Sequence, residues 1–343
     1  MKVISLFNHK GGVSKTTTAF NLGWALAEKG YKTLLVDADP QCNLTALILD
    51  YNSTGDIEDY YKENPNCDIY SGIEPIVNGA FIPMKAITPV QTGNPNLQLM
   101  AGNIKLAEAE TQISVALTTS SSLPAMQNIP GAVGGLIRLT AEAHGYDYII
   151  IDMSPSVGAL NQCLLMSSDY FIVPTFPDFF CAQAVNSLAA VFPRWSQEVQ
   201  KFRSATLKYP FPINNPKFLG IVSQKYRPRN SAPAKSFQRW IDVIKGAVKE
   251  GLIPALSEYG MVIPESVYDA NVTSDGSYNL ANIPDFNSLI AQSQKHNIPV
   301  FALTDAQIEQ VGVILEDMSE SRDKFRRIFE GLADSVHKLT EVA

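Results

Sequence analysis

Apolar residues fall along this chain in short runs separated by longer stretches of mixed polarity. Val3 to Phe7 is a continuous apolar run that ends at Gly11-Gly12, the pattern of a strand buried on both faces and feeding a turn. From Thr16 to Gly30, Phe20, Leu22, Trp24, Leu26 and Ala27 sit among small residues, and Gly30 stops the segment as a residue just past a helix does. Lys32 to Val36 is the next strand, so one βαβ unit fits within the first 36 residues. The pattern predicts further strands at Leu97–Met100, Tyr148–Ile151, Tyr170–Pro174, Phe218–Val222 and Pro299–Leu303. It predicts helices at Ile104–Leu117, Ala132–Ala143, Ala182–Val199, Ala234–Val248 and Ala306–Asp317. Such alternation predicts an α/β fold, a doubly wound, mostly parallel sheet with helices on both faces and right-handed crossovers.

Residues 51–95 are rich in Asn, Pro, Gly and Tyr and read as irregular surface structure, and 251–282 reads as an insertion with short apolar pieces of its own. No linker or internal repeat divides the chain, so residues 1–343 are expected to form one domain. Phe325, Ile328, Phe329, Leu332, Val336 and Leu339 keep helical spacing on one face, which predicts a C-terminal helix over about 318–340. Its polar face mixes Asp323, Glu330 and Asp334 with Arg322, Arg326 and Arg327. Membrane-surface helices favour Lys and Arg without so many acids, so packing on the protein's own body or at a dimer contact is expected.

Composition narrows the setting. No apolar run approaches the roughly 18 residues of a membrane helix. Cys42, Cys67, Cys163 and Cys181 form no C-x-x-C pair, which indicates neither a zinc site nor a disulfide framework and suits a reducing cytoplasm. The net charge of −7 means that any nucleic-acid contact must come from a local patch on an acidic body.

The candidate chemistry begins at Lys10-Gly11-Gly12-Val13-Ser14-Lys15-Thr16-Thr17, between a strand and a helix. Glycines let successive backbone N–H groups turn onto phosphate oxygens, and the helix that follows adds its positive end. Lys15 is placed for the β- and γ-phosphates and the Thr16 hydroxyl for Mg²⁺. The usual pattern G-x-x-x-x-G-K-[ST] fails at both glycines, where His9 and Ser14 stand. Asp37-Ala38-Asp39-Pro40-Gln41 follows the second strand, and Asp152 closes the strand Tyr148–Ile151 ahead of Met153-Ser154-Pro155-Ser156. Carboxylates just past the carboxyl ends of parallel strands stand where ligands of open α/β sheets bind.

Lys10-Gly11-Gly12 followed by Lys15-Thr16-Thr17 resembles the deviant Walker A motif of ParA/MinD ATPases, and the resemblance runs from residue 1 to about 303. It implies a P-loop ATPase that binds ATP and Mg²⁺, with Lys10 reaching into a partner subunit's phosphate site when two ATP-bound subunits face each other. It implies that Asp39 positions the attacking water close to the metal, with Asp37 in support. Asp152 then falls in the Walker B and second-switch region, holding Mg²⁺ with Thr16. Catalytic roles are thus expected for Lys10, Lys15 and Asp39, and nucleotide contacts for residues 10–17. The late segment Ile283-Pro284-Asp285, with Leu289 and Ile298-Pro299-Val300, resembles the wall of the adenine pocket. Family members often carry an arginine where Asp285 stands.

The resemblance also marks Arg229, with Lys225, Arg227 and Lys235 nearby, for DNA phosphate contacts. The expected protein is an ATP hydrolase, slow until stimulated, that dimerises with ATP and positions DNA or another cargo. Its expected partners are a second copy, non-specific DNA and a ParB-like stimulating protein, in the cytoplasm or on the nucleoid. Three other classes share the fold: a MinD-like membrane-associated ATPase, an iron–sulfur carrier, and an ATP-dependent amide ligase. The scattered cysteines argue against the carrier.

Overall fold

The computed structural model describes residues 1–49, 57–80, 82–120, 123–226, 228–229, 232–233, 235–272 and 278–342. Ten strands occur among them: β1 (Lys2–Leu6), β2 (Thr33–Ala38), β3 (Val90–Gln91), β4 (Leu97–Met100), β5 (Tyr148–Met153), β6 (Tyr170–Thr175), β7 (Lys217–Tyr226), β8 (Pro228–Arg229), β9 (Ala232–Pro233) and β10 (Asn279–Pro284). Eight form one sheet in the order β10-β7-β6-β1-β5-β2-β4-β3. Every neighbouring pair is parallel except β3 with β4. β8 and β9 pair separately as a short antiparallel hairpin.

Every residue of β2, β5 and β6 is buried, because helices cover the sheet. That burial is why these strands read as unbroken apolar runs. The helices pack on one another as well as on the strands. Helix Lys15–Glu28 meets the long helix Gly312–Val342, Ile129–His144 meets Ala159–Ser167, and Phe179–Glu198 meets Lys235–Ala247. The mostly parallel α/β sheet expected from the sequence is the architecture found.

The C-terminal helix is longer than the expected 318–340. Phe325, Phe329, Leu332, Val336 and Leu339 are buried against the body, with Phe286 and Phe325 rings 4.6 Å apart and Phe301 and Phe329 rings 5.5 Å apart. Its polar side is tied down as well. His337 lies between the hydroxyls of Tyr31 (3.2 Å) and Tyr148 (2.8 Å), and Arg326 pairs with Glu28 at 2.9 Å. The apolar face that raised the question of a membrane is therefore occupied by the protein itself. Among the described residues no helix is long and apolar enough to cross a membrane.

Four local expectations are corrected. Pro299–Leu303, expected as a strand, holds a 3₁₀ turn at Val300–Ala302. The helix expected over Ala306–Asp317 is interrupted: a short turn Asp305–Ile308 ends at Glu309, which is left-handed (φ 58°), and the long helix starts at Gly312. The stretch 51–95 is not wholly irregular, since helices Ile57–Glu63 and Ile69–Val77 occur there and Ile69, Ile73 and Ile87 are fully buried. The stretch 251–282, expected as an insertion, is woven into the core through Leu252, Leu256, Met261, Ile263 and Tyr268. It also ends in an unexpected edge strand, β10, beside β7.

Candidate nucleotide site

The phosphate loop leaves β1 and is pinned at its first turn. The Asn8 side-chain amide donates to the Pro174 carbonyl at 2.9 Å, and its oxygen accepts from the Lys10 N–H at 3.0 Å. Gly12 is left-handed (φ 75°), as is Ser14 (φ 58°), and the helix begins at Lys15. At the helix start the Thr18 N–H and hydroxyl both donate to the Ser14 carbonyl (2.9 and 2.7 Å). The Gln224 amide on β7 in turn donates to the Thr18 hydroxyl.

Ser14 explains why a glycine is usual at its position. A left-handed conformation costs a residue with a Cβ about 1–2 kcal/mol, and the Ser14 hydroxyl is in addition buried without a partner. Ser14→Gly removes that strain while loosening the unfolded chain, so the net gain is about 1 kcal/mol or less. A rise in Tm of about 1–3 °C is expected in a thermal unfolding experiment. An unchanged or lower Tm would show that the loop is not strained at this position.

The two loop lysines occupy different places. Lys15 is buried, its ammonium donating to the carbonyls of Asn8 (3.0 Å) and Lys10 (3.4 Å). Burial lowers its pKa, with Asp152 and Asp39 pulling in the opposite direction. Lys15 thus lies in the cleft, on the loop's inner side. The Lys10 ammonium instead pairs with Asp178 at 2.5 Å and lies 5.3 Å from the Phe176 ring centre. Lys10 is not among the residues that line the cleft.

Three carboxylates stand at neighbouring strand ends. Asp37 is fully buried and holds its own segment: its oxygens accept from the Thr45 N–H and hydroxyl (both 2.7 Å) and from the Asp39 N–H (3.3 Å). Gly102 packs directly on it, since a Cβ there would lie 2.9 Å from the Asp37 carboxyl carbon. Burial pushes the Asp37 carboxyl up to about 6, against the pull of Thr45. Asp39 lines the cleft and accepts from the Gln41 N–H at 3.0 Å. Asp152 is fully buried and neither carboxylate oxygen has a hydrogen-bond partner within 3.5 Å, although the Thr16 hydroxyl and the Lys15 ammonium lie close enough to act on it. Burial, with Asp37 close by, pushes it up to about 8, opposed by Thr16 and Lys15.

An orphaned buried carboxylate asks for a cation. Among the described residues no group of three or more His, Cys, Asp or Glu side chains could hold a metal. That donor set suits Mg²⁺, which takes one or two carboxylates and completes its shell with water and phosphate oxygens. Thr16, Asp152 and Asp39 are the residues that fit it.

The cleft has a volume of about 780 Å³ and is lined by residues 11–17 and Asp39 on one side. Ile290, Ser293, Gln294 and Asn297, from helix Leu289–His296 and the residue after it, also line it. The sequence had pointed to Ile283, Pro284 and Asp285 for this wall. Ile283 and Pro284 are buried at the end of β10, Asp285 follows with its N–H on the Tyr226 carbonyl, and none of the three lines the cleft.

Of the residues marked for DNA, the structure describes the surroundings of two, Lys225 and Lys235. Lys225, itself left-handed (φ 55°), lines the cleft. Lys235 is exposed at the start of its helix, the Arg229 backbone is in β8, and Arg227 lies outside the described residues. Sequence reasoning missed Asp178 and Asn161. Asp178 caps helix Phe179–Glu198 through the Cys181 N–H (2.7 Å), and an Asp just ahead of an apolar helix start was the available signal. Asn161 reaches the carbonyls of Ser154 and Ser156 (2.9 Å each), fastening the segment that follows Asp152; nothing local in the sequence marks it.

A parallel strand, a glycine loop, a buried lysine at the helix start and acids on the two adjoining strands define a P-loop nucleotide-binding protein. The AAA domain family model matches residues 1–204. An uncharacterised protein of Methanocaldococcus jannaschii is 31% identical over 257 residues, 74% of this chain and 85% of its own. The chromosome partitioning protein ParA of Caulobacter vibrioides is 31% identical over 197 residues, 57% of this chain and 63% of its own. The match thus spans less than two thirds of ParA. A structure of a Cyanothece McdA variant in complex with ATP superposes with a TM-score of 0.59 at 18% identity, covering 94% of this chain and 96% of that one. The chain belongs to this family, as an ATPase of the ParA/MinD type.

Proposed function

We propose that this chain is a slow ATP hydrolase that forms an ATP-bound sandwich dimer and uses hydrolysis as a switch for DNA partition or cargo positioning in the cytoplasm. The observation that carries this reading is the separation of the two lysines. Lys15 lies in its own cleft, whereas Lys10 is outside that cleft's lining and, among the described residues, forms its ion pair with Asp178. A loop cation outside its own cleft is placed to serve another subunit's phosphates.

Bound ATP with Mg²⁺ supplies the reactive phosphoryl group and the charge that holds it. The loop N–H groups and Lys15 would orient the phosphates, Thr16 and Asp152 would hold the ion, and Asp39 would position water. Lys10 of the second copy would offset the charge that develops on the transferred group. Little covalent chemistry is asked of the protein, so turnover is slow until a ParB-like partner improves the alignment. Retention on non-specific DNA is the proposed output, with Lys235 as one exposed contact.

The test measures molecular mass and retention on non-specific DNA, for the unmodified chain and Asp39→Ala, each with ADP and with ATP plus Mg²⁺. An ATP-specific dimer that holds DNA, longest-lived in Asp39→Ala, is expected. ATP binding without dimer or DNA retention would falsify the partition reading.

A further inference from the structure

Phe179 and Phe180 are 50% and 70% exposed, with ring centres 5.6 Å apart, although they open a helix whose inner face is buried. They follow Asp178, the residue that holds Lys10, and Phe179 also meets Trp240 at 6.1 Å. Lys10 lies over Phe176 on the other side of Asp178, and His9 bonds Ser187 at 3.1 Å two turns along the same helix. The two exposed rings thus follow directly on the Lys10–Asp178 pair, on a helix that also carries the Ser187 partner of His9. Aromatic anchors inside a polar rim are the usual anatomy of a protein–protein contact.

We propose that Phe179 and Phe180 are the apolar anchor by which a second, ATP-bound copy of this chain docks. The inference rests on the dimer reading above. A second copy is the occupant because the rings adjoin the residue that holds Lys10. If Lys10 crosses into another subunit's phosphate site, the helix start that holds its ammonium through Asp178 is carried towards that subunit, and Phe179 and Phe180 are the exposed apolar residues of that helix start.

Area explains why such a contact would need nucleotide. A phenylalanine ring buries about 200 Å², so the two exposed fractions amount to roughly 240 Å² per copy. A stable interface buries about 800 Å² per partner. The two rings alone fall well short of a permanent dimer, and the closed nucleotide site has to supply the remainder. A nucleic-acid partner fits less well, because the carboxylate of Asp178 adjoins the rings and the whole chain carries −7.

The experiment compares the unmodified chain, Phe180→Ala and the double variant Phe179→Ala with Phe180→Ala, by light scattering over a concentration series with ATP plus Mg²⁺ and with ADP. The double variant should weaken the ATP dimer on the order of 30-fold. Affinity for a fluorescent ATP analogue in the monomer should not change, and Phe180→Trp should restore the dimer. Hydroxyl-radical footprinting of the unmodified chain supplies a readout free of any folding defect: ATP, and not ADP, should protect residues 179–180.

If the double variant dimerises as well as the unmodified chain, or residues 179–180 stay unprotected in a proven dimer, the anchor is wrong while the switch survives. If the unmodified chain itself stays monomeric with ATP, both fall together. If the variants dimerise normally but lose DNA, the rings serve nucleic acid and the proposal is overturned.

Discussion

Lys10→Ala is expected to bind ATP about as tightly as the unmodified chain and to hydrolyse it on the order of 10³-fold more slowly. The two halves of this expectation come from different observations. Binding survives because Lys10 lies outside the cleft lining, while Lys15 and the loop backbone remain in place. Hydrolysis should fail on the proposed reading, in which Lys10 is the cation brought to the transferring phosphoryl group from a second subunit, a contribution worth a factor of that size. The substitution also frees Asp178, but that residue is partly exposed and still accepts from the Cys181 N–H, so folding should be little affected. Nucleotide titration and steady-state phosphate release on the same sample decide the matter. A parallel loss of binding would place Lys10 in its own subunit's site, and unchanged turnover would remove it from the chemistry.

Asp152→Asn is expected to stabilise the empty protein above neutral pH and to abolish the further stabilisation that Mg²⁺ with ATP brings. The folded state holds the Asp152 proton up to about pH 8, whereas an unfolded carboxyl releases it near 3.8. Between those values the folded chain binds more protons than the unfolded one, so stability falls as pH rises through the window. The loss is on the order of 6 kcal/mol at most, from about 1.4 kcal/mol per unit. Asparagine has nearly the same shape and no charge, so the variant should keep only the narrower pH window of Asp37, whose carboxyl is raised to about 6. Melting curves at pH 5 and pH 8, each with and without ATP and Mg²⁺, separate the effects. A variant that melts below the unmodified chain at pH 8 without ligand would refute the account of Asp152 as an unpaired buried acid.

The parts of the site that depend on local chemistry were legible in the sequence. A strand, a glycine loop and a helix start identify themselves within a few residues, and Lys15, Thr16, Asp39 and Asp152 fall where their strand ends put them. Short apolar pieces were less readable. Val300 and Phe301 of Val300-Phe301-Ala302 are buried beneath the C-terminal helix, and such a run carries no period that separates a strand from a packed turn. β10 was hidden by Asn279, Asn282 and Pro284, residues that an edge strand tolerates at its free side or its end. Asp178 and Asn161 act on partners 168 and 7 residues away. The far wall of the cleft, at Ser293, Gln294 and Asn297, depends on where a short helix docks, which no spacing reveals.

β1, β5 and β2 are consecutive, with Leu6 opposite Asp152 and Asp37 opposite Asp152 across the two ladders. Adding or deleting a single residue inside any of these strands would shift its end by about 3.3 Å and turn its side chains to the opposite face. The strands around β10 already carry register shifts. Descendants of this sequence can therefore gain and lose residues along the β10 margin of the sheet, while the lengths of its three middle strands are inherited unchanged or the site is lost.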